Sequence, residues 1–259
     1  MNRLIKLFEN KGKNILSIFF TAGYPRLEST GDIIKALSDA GIDLVEIGVP
    51  FSDPMADGPV IQGSSSRALK NGMTVKKLLQ QVKEARPETE MPFILMGYLN
   101  PVIKYGVENF FRDAHTAGVD ALIIPDLPFD DYISEFKELS RKYDLPVIML
   151  ITPETSEERI HWIDNNCDGF IYMVSSASTT GAKESYNESQ LNYFKKINAM
   201  DLRHPRLIGF GISNPVTLQQ ACENASGAII GSHFIKCIDK AEGNPKKAVA
   251  LLLESIGKK

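Results

Sequence analysis

The chain has 259 residues, with 29 Lys and Arg against 32 Asp and Glu for a net charge of −3, and 43% of its residues are apolar. That balance excludes the concentrated basic face that nucleic acid usually requires, and no apolar run approaches the roughly 20 residues needed to span a bilayer. Cys167, Cys222 and Cys237 form no CxxC pair, which points to a reducing cytoplasmic setting rather than a disulfide framework.

In chain order, the first element is "MNRLIKLFENKGKN", read as a short amphipathic helix whose apolar run is too brief and interrupted for a signal peptide. Short apolar runs then recur at 15–21, 44–49, 93–98, 121–125, 147–152, 169–175, 206–211 and 227–231. They are rich in Ile, Val, Leu and Phe, as parallel strands covered on both faces are. Amphipathic stretches separate them at 29–41, 107–118, 131–143, 156–166 and 214–224, and several stop at Gly or Asn. Thr155 and Glu158 have capping-box spacing. The interval 51–92 has room for an extra helix at 62–69 ahead of one at 75–86, and 176–206 is also long. The alternation predicts an α/β chain: a single (β/α)8 barrel domain over residues 1–259, the TIM-barrel architecture, with an extra N-terminal helix and extended βα loops after strands two and six. A doubly wound open sheet is the competing arrangement.

The second strand carries an anomaly: "LVEIGV" buries a carboxylate. Side chains alternate across a strand, so Val45, Ile47 and Val49 face the helices while Leu44, Glu46 and Gly48 face the lumen. Gly48 should leave open space above Glu46. An inward acid near the carboxyl end of a barrel strand suits acid/base chemistry, with a pKa lifted toward neutrality by burial; a structural Glu bonded to backbone is the alternative. Asp57 follows in "SDPMADGP", where turn chemistry is a competing use for it and for Asp53. Gly-containing segments after the last three strands, "SSASTTG", "GFGIS" and "GSH", make Gly211, Gly231 and Ser232 candidate phosphate ligands.

Absences narrow the chemistry. No strand-like run contains Lys for a Schiff base, and no His/Asp/Glu cluster has metal-ligand spacing. GxSxG and GxGxxG are missing too. What remains is a barrel that binds a phosphorylated metabolite and works by carboxylate acid/base catalysis without a metal.

The segments "FFTAGYP", "VEIGVPFSDPMADGP", "IPDLP", "GFIYMVS", "GFGIS" and "IIGSHFIK" resemble, in order and over nearly the whole length, the tryptophan synthase alpha chain family. The resemblance implies a cytoplasmic lyase of tryptophan biosynthesis that cleaves indole-3-glycerol phosphate to indole and glyceraldehyde 3-phosphate. It implies no cofactor in this chain, and a pyridoxal-phosphate beta chain as partner in an alpha-beta-beta-alpha assembly. The alternative within it is a phosphate-binding regulatory subunit that activates the beta chain and has little activity of its own. Matched by motif, Glu46 is the acid/base, Asp57 the carboxylate on the indole N–H, and Tyr172 a tyrosine beside the substrate. Phe19, Met96, Phe210 and Thr180 match substrate contacts, and Gly181, Gly211, Gly231 and Ser232 the phosphate site. Asp53, Pro54 and Met55 fall where the family meets the beta chain. The chain departs from the family's Ser-Arg-x-Gly-Val-Thr-Gly lid at Ser176 and Ser178, while Thr180 and Gly181 match it.

Overall fold

The computed structural model describes residues 2–175 and 185–258. Eight parallel strands, paired in chain order, close into a barrel among the described residues. They are β1 (Ile15–Thr21), β2 (Leu44–Gly48), β3 (Phe93–Met96), β4 (Ala121–Ile123), β5 (Val147–Ile151), β6 (Ile171–Val174), β7 (Arg206–Gly209) and β8 (Gly227–Ile230). The barrel, rather than an open sheet, is closed by β8 pairing with β1, Ile15 opposite Gly227. Room for that approach comes from the missing side chain: a Cβ on Gly227 would lie 2.0 Å from the Ile15 carbonyl oxygen.

The helices are α1 (Arg3–Lys11), α2 (Ser29–Asp39), α3 (Pro59–Lys70), α4 (Val75–Ala85), α5 (Leu99–Tyr105) and α6 (Val107–Ala117). After them come α7 (Phe129–Asp131), α8 (Lys137–Lys142), α9 (Glu157–Asn166), α10 (Glu188–Ala199), α11 (Pro215–Asn224), α12 (Ser232–Lys240) and α13 (Pro245–Ser255). None of these helices is long and apolar enough to cross a membrane.

The period-two alternation separates two apolar layers. Leu16, Ile18, Val45, Ile47 and Leu95 pack outward against helix residues such as Ile33, Leu37 and Leu78. Ile15, Leu44, Ile94, Ile123, Ile148 and Phe170 fill the lumen. Helix α1 closes the lower end by sending Leu4 into that inner layer, with Leu7 and Phe8 packed against it; the Phe8 and Phe170 rings lie 5.6 Å apart.

Three expectations change. The stretch read as one helix over 131–143 is interrupted: a π-helical turn, Tyr132–Phe136, links α7 to α8. That wide turn buries Tyr132 and Phe136 together, against Phe129 at 5.8 Å and Phe111 at 6.1 Å. The cap of α9 is Ser156, whose side chain accepts from the Arg159 N–H, because Thr155 Oγ1 instead accepts from the Thr152 N–H at 2.9 Å. Finally, the space left by Gly48 is taken by the Phe19 ring. Register pairs Phe19 with Glu46 and Thr21 with Gly48, and the Phe19 ring leans upward until a Cβ on Gly48 would lie 2.5 Å from its Cζ. Glycine there admits an aromatic wall rather than leaving a gap.

Candidate active site

At the carboxyl ends of the strands a cleft opens, with about 600 Å³ of empty space that includes open solvent. Its walls include Phe19 from β1, Glu46 from β2, Met96 from β3 and Tyr172 from β6, with Phe210 just beyond β7. Asp57, Gly211, Gly231 and Ser232, also predicted, line it too. Residues from Phe19 to Ser232, far apart in the sequence, thus converge on one cavity, because in a barrel every strand ends at the same face. Ser176, Ser178, Thr180 and Gly181 lie outside the described residues.

Glu46 points inward, as alternation requires, and is fully buried. Its Oε1 accepts a hydrogen bond from the Ser17 hydroxyl at 2.7 Å, while Oε2 has no partner among the described residues. Among the described residues no cation reaches it. Burial therefore lifts its pKa from the ordinary 4.5 to about 7, with the Ser17 hydrogen bond pulling the other way. Such a group is poised to give and take a proton near neutrality.

Asp57 does not make the side-chain turn that its Pro- and Gly-rich setting suggests. Tyr98 donates its hydroxyl proton to Asp57 Oδ2 at 3.1 Å and accepts the Ala56 N–H at 3.0 Å. Phe51 stacks on the same ring at 5.2 Å, and the Gln62 amide donates to the Asp57 carbonyl at 2.8 Å. The loop is pinned at both ends, so Asp57 is held over the cleft. Burial lifts its pKa to about 6, against the Tyr98 hydrogen bond. Nothing in the sequence around Tyr98 marks it for this role; the pairing spans 41 residues of chain.

Tyr172 is buried beside both acids, and its pKa is raised first by burial and then by Glu46 and Asp57. Its ring meets Phe210 edge-on at 6.2 Å, and Gly209 makes room, since a Cβ there would lie 2.2 Å from the phenol oxygen. Phe210 itself has φ of 73°, a left-handed conformation that costs a bulky residue on the order of 1–3 kcal/mol. Two donors fix its carbonyl in place, Ser175 Oγ at 3.0 Å and the Tyr186 hydroxyl at 2.9 Å.

Opposite the acids, Gly231 caps α12 without a side chain to occupy the helix N-terminus, leaving that end suited to an anion. Gly211 approaches from the neighbouring loop along the same cleft. Among the described residues no group of three His, Cys, Asp or Glu is placed to hold a metal ion.

Asp53 and Met55 are exposed on the loop after β2, and Met55 is 90% exposed, extreme for so apolar a side chain. Pro54, between them, is buried.

Comparison with known proteins gives one answer by three routes. The family model for the tryptophan synthase alpha chain matches residues 5–259. A tryptophan synthase alpha chain of Parabacteroides distasonis is 56% identical over 256 residues, covering 99% of each chain; one from Phocaeicola vulgatus is 54% identical over the same length and coverage. Among solved structures, the alpha chain of Legionella pneumophila superposes with a TM-score of 0.87 at 34% identity, over 99% of this chain and 96% of that one. A chain of M. tuberculosis tryptophan synthase in its aminoacrylate-bound form gives 0.85 at 28% identity over the whole of both chains.

Proposed function

Because the chain belongs to the tryptophan synthase alpha chain family, we propose that Glu46 and Asp57 divide between them the work of the family's reaction. The chain is an indole-3-glycerol-phosphate lyase of tryptophan biosynthesis: it cleaves indole-3-glycerol phosphate to indole and glyceraldehyde 3-phosphate. It uses no cofactor of its own; pyridoxal phosphate belongs to the beta chain.

The reaction needs a proton on a ring carbon and a place for the positive charge that results. Glu46 delivers its proton to C3 of the indole, giving an indoleninium whose N1–H carries the charge. Asp57, as carboxylate, accepts that N–H and stabilises the cation. The Glu46 carboxylate then removes the proton of the hydroxyl on the adjacent side-chain carbon. The hydroxyl oxygen forms the aldehyde C=O, the bond to C3 breaks, and its electron pair restores the ring. Indole leaves with the added hydrogen on C3, and Glu46 is protonated again. Phe19, Met96, Phe210 and Tyr172 form an apolar slot for the ring, with Thr180 a further substrate contact, and Gly211, Gly231 and Ser232 hold the phosphate at the start of α12, helped by Gly181.

The observation that carries this reading is a carboxyl group with one oxygen, Glu46 Oε2, bare among the described residues, buried in the same cleft as a second carboxyl that no described cation neutralises. Replacing Glu46 by Gln should lower turnover of indole-3-glycerol phosphate by about 10²–10⁴-fold, with an unchanged circular dichroism spectrum. Turnover within a few-fold of the parent would overturn the assignment.

A beta chain is the partner, in an alpha-beta-beta-alpha assembly, and the exposed Met55 with Asp53 and the Pro54 turn forms part of the contact. The support is the apolar exposure of Met55 and its place on the loop that carries Asp57, which would let docking act on the site. A Met55→Asp variant that binds the beta chain with parental affinity would contradict that placement.

A further inference from the structure

Among the described residues the lumen layer around Glu46 is mostly apolar, apart from the Tyr172 phenol and one serine. Ser17 lies on β1, fully buried, opposite Leu44 in the strand register and one inward position below Phe19. Its lumen neighbours in the layer are residues such as Ile15, Leu44 and Ile94, and an aliphatic side chain would serve packing at that place as well. A buried hydroxyl costs about 1–3 kcal/mol when it lacks a partner. Here it has one partner, Glu46 Oε1 at 2.7 Å, and that carboxyl receives no other hydrogen bond among the described residues.

We propose that Ser17 is a positioning residue for the lyase step: by donating to Oε1 it reserves Oε2 of Glu46 as the oxygen that exchanges the proton with substrate. The inference rests on the reading of Glu46 as the acid/base. The chemistry follows from the geometry. An oxygen that already accepts the Ser17 proton is the poorer site for a second one. The neutral carboxyl therefore carries its hydrogen on Oε2, the oxygen without a partner. When that proton leaves for C3, the new carboxylate keeps a charge-assisted donor. Without Ser17 it would have none, the carboxyl would turn freely between its two orientations, and the charged form would be harder to reach. Among the described residues, the other ionisable groups facing this carboxyl are Tyr172 from β6 and Asp57 from the loop after β2. Neither supplies a cation that could take over.

The test compares Ser17→Ala, Ser17→Thr and Glu46→Gln. In Ser17→Ala, kcat at pH 7 should fall about 3- to 10-fold with KM nearly unchanged. The pH limb belonging to Glu46 should move up by about one pH unit, the size expected for losing a hydrogen bond to a charged group. Ser17→Thr, which keeps the hydroxyl, should restore both. The infrared carboxyl band that vanishes in Glu46→Gln should show the same upward titration in Ser17→Ala, independently of turnover. An unmoved band and limb in Ser17→Ala, or equal impairment in Ser17→Ala and Ser17→Thr, would overturn the proposal. If Glu46→Gln is inactive while Ser17→Ala behaves as the parent, only the role of Ser17 falls. If Glu46→Gln turns over, the underlying reading falls with it.

Discussion

Asp120, at the amino ends of the strands, and Glu46, near their carboxyl ends, are both buried carboxyl groups, and the barrel holds them in opposite ways. Asp120 accepts the Phe93 N–H at 2.9 Å and one guanidinium N–H from each of Arg3 and Arg86, both at 3.3 Å. Burial pushes its pKa up, and the Phe93 amide and the two guanidinium groups draw it back. Arg86 in turn lies over the Phe93 ring, 3.8 Å from its centroid. The cluster ties α1 and the end of α4 to the barrel floor. Glu46 has one hydroxyl and a bare oxygen. The lower end spends its polar groups on one another, and the upper end leaves some of them for a substrate. This is the division between a stabilising and a reactive face that the architecture favours.

Breaking each end should give opposite signs. Asp120→Ala removes the anion and leaves the half-buried Arg86 with carbonyl acceptors but no counter-charge. We expect a loss of about 3–5 kcal/mol in urea unfolding, with kcat of the folded fraction unchanged. A loss under 1 kcal/mol would mean the cluster is no clasp. Glu46→Gln should instead stabilise. The folded chain binds the Glu46 proton more tightly than the unfolded chain does, since its pKa rises from 4.5 to about 7. The stability tied to that proton is therefore full below pH 4.5 and is lost as pH climbs through about 7. At pH 8 the variant should be more stable than the parent by up to about 3 kcal/mol, and at pH 4 by nearly nothing. A difference independent of pH would show that Glu46 titrates normally.

The same contrast explains what the sequence discloses. Strands and the inward direction of Glu46 follow from apolar runs and period two, which act over a few residues. The motif at 46–59 and the glycines after the last strands also sit in local patterns. Helices α5, α10, α12 and α13 are harder to read: α12 runs straight on from β8, and α5 holds Pro101 near its start, which Pro tolerates in a first turn. Partners on neighbouring strands and loops are invisible to any local pattern. Tyr98 meets Asp57 and Ser17 meets Glu46 only once strands pair, 41 and 29 residues apart in the chain. Phe19 fills the space over Gly48 because of strand register, which no single strand encodes.

The central claim is that one buried carboxyl is half-protonated near neutral pH. Its most direct test is titration of the Glu46 side chain, by carboxyl-selective carbon NMR or by its infrared band, with Glu46→Gln supplying the assignment. The account predicts a midpoint of about 7. A midpoint below about 5, the range of an ordinary glutamate, would contradict it.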